Sequence, residues 1–195
     1  YMELSNEALT TRGQTPRYTQ EDIEMTRSGA DPYLYPDIDW MKILFKDFGR
    51  NRTANANISG GSDMAVYYVG LSYYGEDGLY KVDRRHDYNA NTSYARYSVT
   101  SNLTLKPHKT TEIKLGIQGY LANANYPAAS NSSIFGAAFA TQPNYIFPVY
   151  PNGYIADKPS GAVTNPYAIL NEQGYAEQWR SQLFSNLKLT QQLPW

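Results

Sequence analysis

From Thr53 onward the chain alternates in polarity with a period of two, and that pattern restricts the fold more than any other feature. In segment 53–59 Ala54, Ala56 and Ile58 alternate with Asn55, Asn57 and Ser59, and in 64–74 Ala65, Tyr67, Val69, Leu71 and Tyr73 share one face. Segment 94–105 sets Ala95, Tyr97, Val99, Leu103 and Leu105 against Arg96, Ser98, Thr100, Asn102 and Thr104. Segment 110–121 opposes Ile113, Leu115, Ile117 and Leu121 to Glu112, Lys114, Gln118 and Tyr120, and a last alternation opposes Leu183, Leu187 and Leu189 to Asn186, Lys188 and Thr190. Successive side chains of a strand point to opposite faces, so each segment predicts a strand with one dry and one wet side.

A half-buried soluble sheet and a membrane barrel both produce this pattern. Two regularities favour the barrel. The middle strands approach the roughly 9 to 11 residues that cross a bilayer at a tilt. Short turns at Gly60-Gly61-Ser62-Asp63 and Lys106-Pro107-His108-Lys109 alternate with long polar connections at 75–93 and 122–178, the latter with one short helix expected over Ser133 to Ala140. Outer-membrane barrels show this arrangement, with the short turns periplasmic and the long loops extracellular.

Composition excludes other classes. A mean hydropathy of -0.58, with no apolar run near the roughly 20 residues of a spanning helix, excludes a helical membrane protein. Lys+Arg 17 against Asp+Glu 18 gives a formal charge of -1, without the basic excess of a nucleic-acid binder. The absence of cysteine removes disulfides, Cys-type zinc, iron–sulfur clusters and thiol catalysis. The opening Tyr1-Met2-Glu3-Leu4 has no signal-peptide pattern. Tyrosine, at 19 residues, is abundant enough to require a role, and its apolar body and polar tip suit half-wet surfaces and stacking on ligands.

The first 50 residues predict short helices. Thr19 with Glu21 and Asp22 caps a helix that Gly29 stops, and Asp37 or Asp39 caps a second that carries Trp40, Ile43, Leu44 and Phe45. The prolines of Gly29-Ala30-Asp31-Pro32-Tyr33-Leu34-Tyr35-Pro36 predict an extended stretch between them.

No enzyme chemistry is expected. His86 and His108 stand apart from any metal-spaced partner or nucleophile, and Asp37-Ile38-Asp39 reads as helix capping. Asp83-Arg84-Arg85-His86-Asp87 reads as a solvated loop rather than an anion site. Gly60-Gly61 opens no helix and is no phosphate cradle. Binding remains. The wet strand faces put Asn55, Asn57, Arg96, Thr100, Asn102, Glu112, Lys114, Gln118, Asn186 and Lys188 towards a water-filled lumen, where donors and acceptors without dominant charge suit ligands rich in hydroxyls or amides. The long excursion adds the candidate ligand-binding residues Tyr126, Tyr145, Phe147, Tyr150, Tyr154 and Tyr167, whose plainer reading is packing within the loop.

Asn6-Glu7-Ala8-Leu9, the run Asp31 to Trp40, Ser59-Gly60-Gly61-Ser62, the run Gly70 to Gly78, Tyr97 to Leu105 and Ile146 to Gly153 together resemble the SusC/RagA class of TonB-dependent outer-membrane transporters of Bacteroidetes. The resemblance implies an all-β fold: a fragment of an antiparallel transmembrane β-barrel of about 22 strands, with short helices in the extracellular loops. It places an extracellular loop at 1–50, about four barrel strands at 51–121, a long extracellular loop at 122–178 and a further strand at 179–195. The carboxypeptidase-like domain, TonB box and plug of the family are missing. Five strands cannot close, and an open sheet edge in lipid leaves backbone groups unpaired, so the chain is expected to work as part of a larger barrel. The resemblance further implies a SusD-like lipoprotein lid, an oligosaccharide or oligopeptide substrate, coupling to TonB through the plug, and no cofactor. A siderophore or cobalamin receptor competes within the class. Outside it, the rival is a soluble or surface-anchored β-rich carbohydrate-binding module, for which a second sheet would cover Leu103, Leu105, Ile113, Leu115 and Ile117.

Overall fold

The computed structural model describes residues 1–156 and 165–193. Among these residues five strands form a single sheet in the order β1-β2-β3-β4-β5: β1 (Arg50–Gly61), β2 (Ala65–Asp77), β3 (Ser93–His108), β4 (Thr111–Pro127) and β5 (Tyr175–Gln191). The first four pair antiparallel in continuous register, with one shift between Leu105 and His108. Asn186 lies against Gly116 and Leu183 against Gly119, while the Gln192 N–H donates to the Thr110 carbonyl at 2.8 Å, so β5 runs antiparallel to β4. An antiparallel sheet of five is thus present, and it is open.

The strands outlast their alternation. β1 reaches back to Arg50 and β4 continues to Pro127, so Tyr126, expected in the loop, is a strand residue. Connections 62–64 and 109–110 are tight, and 78–92 and 128–174 are long. At the first tight turn the Ser62 N–H donates to the Ala65 carbonyl at 2.6 Å.

The chain divides into two units. The sheet residues 48–78, 92–126 and 177 onward make one; 1–47, 79–91 and 127–176 make the other. The buried apolar cluster lies in the second, not on the sheet: Trp40, Leu44, Phe45, Tyr80, Ile134, Ile146 and Leu170 pack together there. Among the described residues there is no second sheet, and on the apolar sheet face Ile58, Leu71, Tyr97 and Leu183 remain more than half exposed. Removing such a side chain from water is worth about 1.5–3 kcal/mol, so the uncovered face is a large unmet driving force in water. In the described chain the wall is bare and the loops are packed, which is the reverse of a soluble sandwich.

Among the described residues five helices belong to the loop unit: α1 (Met2–Thr11), α2 (Gln20–Ser28), α3 (Trp40–Leu44), α4 (Asn131–Ala140) and α5 (Pro166–Asn171). Thr19 and Asp22 form a reciprocal capping box on α2, which Gly29 ends in the left-handed region; Asp39 rather than Asp37 caps α3. Residues 29–36 are not extended. Asp31 accepts from the N–H groups of Tyr33 and Leu34, and the Tyr35 N–H closes a turn on the Asp31 carbonyl at 2.8 Å. Here the Asp side chain overrides the proline signal by bonding its own backbone two and three residues on. The helix expected from Ser133 starts earlier, at Asn131, because the Ser130 hydroxyl caps it by accepting from the Ser133 N–H.

Candidate functional site

Register carries each residue of one strand to a partner on the same face of the next. One such row runs Thr53, Tyr74, Arg96, Ala122, and β5 adds Arg180 beside Ala122. The adjacent rows are Asn55, Ser72, Ser98, Tyr120 and Asn57, Gly70, Thr100, Gln118. Towards the tight turns follow Asn102 with Gly116, beside Asn186, then Thr104 with Lys114, next to which β5 brings Lys188; Glu112 lies beyond, one alternation further along β4. All ten residues expected to share the wet side therefore share one face of the sheet. The opposite face carries Ile58, Val69, Leu71, Val99, Leu103, Leu115, Ile117, Leu183 and Leu187.

Near the end of the polar face that leads into the long connections lies a concave pocket of about 860 Å³, bordered by Tyr94, Arg96, Tyr120, Tyr126 and Arg180 over a floor of Ala122 and Ala124. The floor is low because both positions are alanine, each almost fully buried. The Arg96 guanidinium rests over the Tyr120 ring, 4.1 Å from its centroid, a cation–π contact between diagonal neighbours of adjacent strands. Tyr74, beside Arg96 on β2, donates its hydroxyl to Glu76 at 2.9 Å.

The six aromatic candidates do not form one platform. Tyr126 borders the sheet pocket, and the others belong to the loop unit. Tyr145 and Phe147 pack against the buried cluster. Phe147 and Tyr150 meet Tyr33, with ring centroids 4.8 Å and 5.4 Å from it, whereas Tyr154 is three-quarters exposed. Tyr33 was missed because the turn that brings its ring against Phe147 and Tyr150 is set by Asp31 and is invisible to periodicity.

Tyr167 is a clasp. Its hydroxyl donates to Asp83, which also takes Arg85; Arg85 reaches the Gly153 carbonyl at 3.1 Å and Glu172 at 3.3 Å. Glu172 also meets His86 Nε2 at 3.1 Å. Burial, then the bond to Asp83, pushes the Tyr167 phenol up to about 12. Burial pushes Asp83 up, but the bonds from Tyr167 and Arg85 outweigh it and hold the carboxyl below its ordinary range. Segment 83–87 is thus no open anion loop: Arg85 is already paired. Among the described residues no cluster of metal-ligating side chains occurs.

No protein-family model matches the chain. TonB-dependent receptor P26 of Formosa agariphila is 27% identical over 121 residues, which is 62% of this chain and 10% of that protein. The solved structure of the RagAB peptide transporter superposes with a TM-score of 0.52 at 22% identity, over 85% of this chain and 20% of that one. The RagAB peptide importer in its open-open state gives a TM-score of 0.56 at 19% identity over 97% of this chain and 23% of that one. The chain therefore spans about a tenth of the curated relative and about a fifth of the solved chains. The similarity to SusC/RagA-type TonB-dependent transporters is borne out in fold and sequence, and the compartment that goes with it is the outer membrane.

Proposed function

We propose that this chain forms part of the barrel wall and extracellular loops of a TonB-dependent outer-membrane importer, of about 22 strands in all. The importer takes up an oligomeric nutrient, glycan or oligopeptide, in concert with a SusD-like surface lipoprotein, and is not an enzyme. The observation that carries this reading is the segregation of the sheet. One face is apolar and bare, the other carries Asn, Thr, Gln, Lys and Arg interspersed with Tyr, Gly and Ala, and the packed core lies in the loops. A wall between lipid and water needs that distribution, and a carbohydrate-binding sandwich would bury the apolar face instead.

In this reading Asn55, Asn57, Arg96, Thr100, Asn102, Glu112, Lys114, Gln118, Asn186 and Lys188 line the lumen, and the loop segments 1–50, 75–93 and 122–178 meet lid and ligand. Of the loop aromatics expected to bind, Tyr154 is open to a ligand while Tyr150 packs on Tyr33 and Phe147, and Tyr126 guards the pocket on the wall. Tyr145, Phe147 and Tyr167 support the loops. The TonB-coupled plug lies elsewhere in such a transporter.

The test is deletion of the full-length gene, with growth and uptake followed on glycan and oligopeptide sources, and fractionation of the tagged protein. Outer-membrane recovery and loss of uptake of at least one oligomer class are expected. Recovery as a soluble protein, with uptake unchanged on every source, would sink the proposal.

A further inference from the structure

Arg96 and Arg180 stand one strand apart on either side of Ala122, so about 10 Å separates their Cα atoms. Both border the same pocket, whose floor of alanines leaves the space between them empty of side chain. The Tyr120 ring holds the Arg96 guanidinium by a cation–π contact, 4.1 Å from guanidinium carbon to ring centroid.

Neither arginine forms an ion pair with any described residue. The nearby carboxylates are placed elsewhere. Glu76, one row away, takes the Tyr74 hydroxyl, and Glu112, far down the same face, pairs with Lys114 at 2.9 Å. Glu177 also borders the pocket but alternates onto the opposite face of β5. Two guanidiniums thus border one concave site, neither of them ion-paired with Glu177 or any other described carboxylate, and planar forked donors of this kind match carboxylates two bonds at a time.

We propose that this pocket is a carboxylate-binding subsite of the lumen, in which Arg96 and Arg180 select acidic oligomers among the substrates of the importer. The inference rests on the importer reading above and gives its substrate a charge. Acidic side chains or the C-terminus of an oligopeptide, and the uronates of an acidic glycan, present the same group. Carboxylates about 10 Å apart engage both arginines, and a single one engages Arg96, the more firmly seated of the two.

The experiment uses the full-length transporter in its own membrane, with Arg96→Gln, Arg180→Gln and the double variant, and four labelled probes: an acidic and a neutral oligopeptide, an oligouronate and a neutral oligosaccharide. Lumen substitutions leave barrel assembly intact, which outer-membrane amounts of each variant verify. Loss of a charge-assisted contact is expected to raise the half-saturating concentration for the acidic probe about tenfold per arginine, with the neutral probe of the same class changed less than about twofold. Which acidic probe responds identifies the source of the carboxylate. Equal effects on acidic and neutral probes, or none on either, overturn the subsite while wild-type uptake leaves the importer standing. Wild-type cells that import none of the four overturn both.

Discussion

Asn186 lays its side-chain oxygen over the bare Cα of Gly116, where an added methyl would come within 2.5 Å. That oxygen ends a flexible side chain on the polar face and has room to turn away. Gly119 differs, since a methyl there meets the Gln182 backbone carbonyl at 2.9 Å and Leu183 at 3.0 Å. Gly116→Ala is therefore expected to be nearly neutral, because relief of about 0.5–1 kcal/mol of glycine entropy offsets the rotamer shift. Gly119→Ala has to part β4 from β5 and is expected to cost about 1–3 kcal/mol. Urea titration of the folded barrel in lipid vesicles, read by gel mobility, checks the order; equal midpoints for the two variants contradict it.

Asn165 is fully buried and gives both protons of its side-chain amide to carbonyls, Pro148 at 2.8 Å and Ala156 at 2.9 Å, while its oxygen caps α5 by accepting from the Tyr167 N–H at 3.0 Å. Asn165→Asp keeps the cap but turns an acceptor onto two acceptors. It is expected to destabilise the loop unit by about 3 kcal/mol or more, and Asn165→Ala by about 2 kcal/mol. Hydrogen exchange of the α5 amides in the intact transporter measures both, and a milder effect for Asp than for Ala would contradict this account.

The Tyr167 clasp has two pH limits. The phenol's value is raised in the folded state, so its contribution is full below about 10 and is lost as pH rises towards about 12. Asp83 is depressed, so its contribution is full above the ordinary carboxylate value and is lost as pH falls through the lowered one. Limited proteolysis of segment 79–91 is expected to be slowest between these limits. Tyr167→Phe should abolish the alkaline limb and shift the acid limb upward, and an unchanged profile for that variant would remove Tyr167 from the clasp.

Strand existence and facing were legible because lipid-type and water-type side chains alternate without error from Ile113 to Gln118. Strand ends were not. At Arg52, Asp77, Ser93 and Asn123 the face that is apolar lower down turns polar, so alternation vanishes while the ladder continues. Helix α5 escaped notice since six residues carry too little period, although Asn165 and Pro166 are good start signals. The arginine pocket was beyond reach of the sequence: Arg96 and Arg180 lie far apart in the chain, and only the register places them on either side of Ala122.

Val99 and Thr100 are neighbours in β3 that face opposite ways, Val99 between Leu71 and Gly119, Thr100 between Gly70 and Gln118. If the apolar face meets lipid, Val99→Arg carries a guanidinium into hydrocarbon and costs about 2–4 kcal/mol near the midplane. Thr100→Arg puts the same group into the wet face and is expected to cost less than about 1 kcal/mol, with like charge at Arg96 four residues away on the same face as its main penalty. Outer-membrane levels and urea midpoints of the two variants separate the cases. Comparable loss at both positions would mean that both faces are equally wet or equally packed, and would remove the sheet from a membrane wall. A reversed order would place Thr100 on the dry side and require every strand to shift by one residue, because a slip of one exchanges the faces throughout.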